Sequence, residues 1–194
     1  MNLTELRAAA DRRSGISYDT TALTEVLNEA LFAISAERDW PWLDADWRFT
    51  TAARATYTSP FGWRSIATVA LDGFLLPMVP IGQIDDDSDT RGWAARGTEL
   101  TLSPTPAAGL AVVVRGVRNE TALERDQDST LMPDEWQQGA LVNFAASIVL
   151  ERVDELERAE RCMDRYRDAK RRMIAQANNV KGPHRVRVRP GSVL

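Results

Sequence analysis

The chain has 194 residues, 44% of them hydrophobic, and a formal net charge of −4. That content supports a packed core and excludes whole-chain disorder, while the acidic balance speaks against a general nucleic-acid binder. The single cysteine, Cys162, excludes an intrachain disulfide, and no run of about 18 apolar residues offers a membrane span. The opening "MNLTELRAAADRRSG" contains two acids and no apolar h-region, so it does not read as a signal peptide.

In chain order, residues 2–13 read as a short helix, with Asn2 and Glu5 at capping-box spacing and Gly15 as its stop. Residues 20–38 predict a second helix. Leu23, Val26, Leu27, Ala30, Leu31 and Ile34 form one apolar stripe, Asp19 or Thr21 caps the start, and Pro41 ends it. From Trp47 the period changes to that of strands. Residues 47–58 and 64–71 read as extended, with a tight turn at Asp72-Gly73. "FLLPMVPIGQI" continues in extended form, its prolines suiting a sheet edge. Residues 93–102 and 110–118 predict a strand pair around the loop "SPTPAAG". The middle of the chain is thus expected to be a mostly antiparallel region of four or five strands.

Pro133, Asp134 and Glu135 signal a helix start. Apolar residues from Trp136 through Ala140, Phe144, Ile148, Val153, Leu156, Ala159, Met163, Tyr166 and Met173 then recur at spacings of three to five. Without a break, about 45 residues would make a rod near 65 Å, against about 35 Å for a compact domain of this length. Such a rod would need a neighbouring subunit, whereas a break near Glu151 would give two stacked helices. The fold class expected is α+β, mainly helical, with a central antiparallel β-insertion. Residues 1–179 are read as one domain. Residues 180–194 form an extended basic arm, with four basic residues and no acid against 20 basic and 28 acidic residues before it. Within the arm, Val186 and Val188 alternate with Arg185, Arg187 and Arg189, a strand period in a segment too short to stand alone.

The residues point to no reaction. The one histidine, His184, lies in the arm, and Cys162 sits in a charged helical run with no histidine beside it in sequence. "GWAARG" is not a phosphate-cradling motif. Asp85, Asp87 and Asp89 match the first spacings of a calcium loop, but Thr90 replaces its glycine and Arg96 its glutamate. A solvated loop tip is the better reading, and no catalytic, cofactor or metal site is expected.

Trp40, Trp42 and Trp47 crowd into "RDWPWLDADW". Exposed, they would make a glycan platform. Placed where a helix becomes a strand, Trp40 and Trp42 are better read as core anchors, and Trp136 as another. Both are expected to be buried between the helix at 20–38, the β-region and the helix start at 134.

A helix ending in "WPWL", a β-region with "DGFLLPMVPIGQI" and "LTLSPTPAAGLAVVVRG", and "STLMPDEWQQGALVNFAASIVL" opening a long helix together resemble the head-to-tail adaptor proteins of tailed bacteriophages. The likeness covers most of residues 19–178. It implies a non-enzymatic virion protein of the neck, assembled in the host cytoplasm. It further implies a ring of twelve copies on the portal, a contact to the next neck or tail protein, passage of DNA without specific binding, and no membrane. It also casts Arg185, Val186, Arg187, Val188 and Arg189 as portal contacts. A ligand-binding module using the tryptophans and a regulator dimerising through its long helix are the alternatives from other classes. Rings, compact monomers and two-stranded dimers would tell the three apart.

Overall fold

The computed structural model describes residues 1–86 and 90–180. The chain divides into two compact units: Met1–Leu31 with the chain from Leu123 on, and Phe32–Ala122. The architecture is α+β.

In the helical unit, α1 spans Leu3–Ser14. The Asn2 side chain accepts from the Glu5 N–H at 2.9 Å, and the Glu5 carboxylate accepts from the Asn2 N–H at 3.0 Å, a reciprocal capping box. Gly15 closes the helix at φ 65° and donates to the Asp11 carbonyl at 2.7 Å. Helix α2 spans Thr20–Ala36, its residues from Phe32 on belonging to the second unit, and Asp19 accepts from the N–H groups of Thr21 and Ala22 at its start. Its predicted stripe, from Leu23 to Ile34, is buried at every position.

The C-terminal helical run is interrupted. Helix α4 (Asp134–Trp136) leads through a π turn at Gln137–Leu141 into α5 (Val142–Arg152), and α6 spans Leu156–Val180. Of the two readings the sequence left open, a continuous rod and a break near Glu151, the structure has a break. The chain turns at Val153–Glu155, where Asp154 takes φ 63°, a left-handed conformation that aspartate tolerates better than most residues, and the Glu155 N–H donates to the Leu150 carbonyl at 2.9 Å. Helix α6 then runs back along α5. Ala146 and Leu150 cluster with Ala159 and Cys162, and Phe144 stacks on Tyr166 at 4.6 Å. A Cβ built on Gly139 would meet the Ala169 Cβ at 3.4 Å, ordinary van der Waals contact, so the helix run from Gln137 and α6 lie close here. The 25 residues of α6 make about 37 Å, and the mismatch of a 65 Å rod disappears. Val153 and Leu156, expected in the apolar seam, are exposed at the turn, and Cys162 occupies the seam instead.

Among the described residues, the β unit has seven strands in two antiparallel sheets. They are β1 (Asp44–Thr50), β2 (Thr56–Thr58), β3 (Trp63–Leu71), β4 (Phe74–Leu76), β5 (Gly92–Arg96), β6 (Glu99–Ser103) and β7 (Ala111–Arg118), ordered β1-β7-β3-β4 and β2-β6-β5. The Asp72-Gly73 turn joins β3 to β4 with positive φ at both residues, as its sequence predicts. Two expectations are corrected. The segment 93–102 is itself a hairpin, β5 to β6, turning at Gly97 with φ 62°, and 111–118 lies in the other sheet. In the proline segment only Phe74–Leu76 is strand. After it a short helix, α3 (Ile81–Asp86), follows directly on Pro80.

Both sheets contribute to one core. Tyr57, Trp93, Leu100 and Leu102 meet Val69, Leu76, Val112 and Val114. Where β3 pairs with β7, the register shifts between Ile66 and Thr68, opposite Gly116. A Cβ at Gly116 would come within 2.2 Å of the Ser65 carbonyl oxygen, so only glycine fits this bulge.

Candidate interaction surfaces

The tryptophan-rich stretch lies directly after α2, whose last carbonyls need partners. Trp40 is fully buried, and its indole N–H donates to the Ile34 carbonyl at 2.7 Å. Arg64, arriving on β3, donates to the carbonyls of Ser35 at 2.7 Å, Ala36 at 2.8 Å and Arg38 at 3.1 Å. A cation at this end also complements the helix dipole. Trp42 stacks on Trp40 at 4.7 Å with planes 13° apart, and the Arg38 guanidinium lies 5.3 Å from the Trp40 ring centre. These contacts make the stretch a helix stop and not an open platform. Trp42 and Trp136 are half-buried, less enclosed than an anchor role implies. Arg64 was not singled out by sequence reasoning, because nothing local marks a strand residue as the cap of a helix some thirty residues earlier.

A different surface is open. Phe74, Leu75 and Met78 are 69%, 71% and 73% exposed, and Ile81 is exposed beside them in sequence. They belong to β4 and its continuation into α3, within Gly73–Ile84, twelve residues without a charge. Large apolar side chains exposed this close together in sequence are a candidate binding surface. Its sequence signal is the uncharged run itself, which also fits an ordinary edge strand.

The mixed-sign face of α6 is paired within the helix and with the turn before it. Arg158 meets Glu155, Arg161 meets Glu157 at 3.7 Å, Arg167 meets both Glu160 and Asp164, and Arg171 meets Asp168. All are surface pairs, each contributing little stability. Arg152 reaches Glu29 of α2 at 2.9 Å. Among the described residues there is no cluster of His, Cys, Asp and Glu that would hold a metal ion, and no helix long and apolar enough to cross a membrane. Cys162 is buried. Asp87 and Asp89 of the acidic run, His184, and the arm residues Arg185, Val186, Arg187, Val188 and Arg189 lie outside the described residues.

Residues 1–187 match the family model described as SU10 adaptor protein. No curated protein matches the chain.

Proposed function

The chain belongs to the SU10 adaptor protein family, a phage head-to-tail adaptor family, and from that premise we propose that it is a non-enzymatic neck protein forming a ring beneath the portal. Twelve copies surround a channel through which DNA passes without being held. One side of the ring meets the portal, through Arg185, Val186, Arg187, Val188 and Arg189 of the arm, and the other side meets the next neck or tail protein. The structural observation that supports this reading is the uncharged tip carrying Phe74, Leu75 and Met78. Each is about seven-tenths exposed, which favours assembly over a free-standing monomer.

The test is direct. Purified chain is mixed with portal rings of its phage and imaged by electron microscopy. Ring-on-ring complexes are the expected result; compact monomers that leave the portal undecorated would overturn the reading.

A further inference from the structure

The helical unit carries a concentration of arginine that its net-acidic chain does not predict. At the C-terminal end of α1 and along the first turns of α6, two surface hollows of about 420 and 250 Å³ share Arg13 and Arg165 in their walls. Arg12 lines the larger hollow, and Arg158 and Arg161 line the smaller, over Leu150 and Cys162. Arg158 is engaged by the Ser14 carbonyl and Glu155, and Arg161 by Glu157. The guanidinium groups of Arg12, Arg13 and Arg165 make no ion pair or hydrogen bond among the described residues. Three adjacent uncompensated cations repel one another, so the hollow favours an anionic occupant. Arginine's planar fork is also the side chain best suited to grip carboxylates in pairs.

We propose that this arginine hollow docks the acidic segment that begins in α3, Ile84-Asp85-Asp86-Asp87-Ser88-Asp89, of a second copy of the chain. Charge complementarity selects the occupant. Four aspartates in five residues are the densest acidic run in the sequence. The isoleucine before them matches the apolar floor of Leu150 and Cys162. A nucleic-acid backbone fits less well, because its phosphates carry no apolar group to lay on the floor of Leu150 and Cys162. Hollow and acidic segment are different surfaces, so the contact is heterologous and repeats head to tail, the kind of contact that closes into a ring. The inference rests on the ring proposed above and names one of its subunit contacts.

The test uses the full chain and charge exchange. One variant carries Arg12→Glu with Arg165→Glu, the other Asp86→Arg with Asp87→Arg. Arg12 and Arg165 are exposed and bond to nothing described, so the first variant is expected to fold, and circular dichroism checks the fold of both. Alone, each variant should need at least about tenfold more protein to assemble than the unaltered chain, measured by mass photometry. An equimolar mixture should recover, because every junction then joins opposite charges. A contact within one chain would not be restored by mixing, and that result would overturn the proposal. So would assembly of either variant at wild-type concentration, or tight binding of a fluorescent duplex that the Arg12→Glu, Arg165→Glu variant loses.

Where the unaltered chain stays monomeric in solution, the ring is judged by portal decoration alone, and the contact is read separately. Arg13→Cys and Asp86→Cys proteins, both with Cys162→Ser, are mixed with a short bismaleimide. A heterodimer yield about tenfold above a Glu99→Cys control supports the contact, and a yield equal to the control overturns it.

Discussion

Trp40 does two things at one position: it fills the space beyond the last turn of α2 and donates a hydrogen bond to the Ile34 carbonyl. Truncation removes both. Trp40→Ala is expected to cost about 3–5 kcal/mol, read as a lower denaturation midpoint. Trp40→Phe should cost less, keeping most of the packing while leaving the Ile34 carbonyl without the indole N–H. A Trp40→Ala protein melting like the unaltered chain would show that the ring is not a core element. Asp128 adds a pH-dependent contact. The N–H groups of Arg125 and Glu124 donate to its carboxylate and hold its pKa below the ordinary range. A group with a depressed folded pKa adds stability that is present above its unfolded pKa, about 3.9, and lost as pH falls through the lower folded value. Asp128→Asn should therefore be less stable than the unaltered chain at pH 7, with the gap closing below about pH 4 in parallel denaturant titrations.

At the scale of elements, the turn at Val153–Glu155 decides the shape of the helical unit. An uninterrupted amphipathic pattern permits a straight rod, but burying the α5 face on α6 encloses Ala146, Leu150, Ala159 and Cys162 within one chain. The turn requires φ 63° at Asp154, where an L residue is strained by about 1 kcal/mol and glycine is not. Asp154→Gly should thus leave thermal stability unchanged or raise it slightly, and Asp154→Val should lower it by more than 1 kcal/mol or so. If Asp154→Val melts above the unaltered chain, the left-handed turn is not what holds the helices together. The β5–β6 hairpin follows the same logic at Gly97: one residue with positive φ converts an apparent ten-residue strand into two paired strands.

For the molecule as a whole, stability and assembly are expected to separate. Phe74→Ser with Met78→Ser alters side chains that are mostly in solvent, so the melting temperature should hold while ring formation or portal decoration falls. Deleting residues 180–194 should likewise leave a folded chain with an unchanged melting temperature but weak or absent portal binding. In the proposed ring, weak arms acting together would lock it by multivalency, so the loss should exceed what one arm contributes. Wild-type portal affinity of the truncated chain across a range of salt concentrations would remove the arm from the mechanism.

The sequence by itself determined the local events. The Asn2–Glu5 capping box, the Gly15 stop, the buried stripe of α2 and the Asp72-Gly73 turn depend on neighbours within about four residues, and each is found where its residues predict. So is the α+β class, because the change of hydrophobic period from helix to strand and back is a property of the chain alone. What only the tertiary structure decided involves partners far apart in sequence. The cap that Arg64 lays on α2, the separation of the strands into two sheets, and the return of α6 along α5 all join residues whose proximity no local pattern encodes. Surface exposure follows the same rule. Phe74, Leu75 and Met78 have the composition of a buried strand, yet they are left in solvent on and just after β4, an edge strand of its sheet among the described residues.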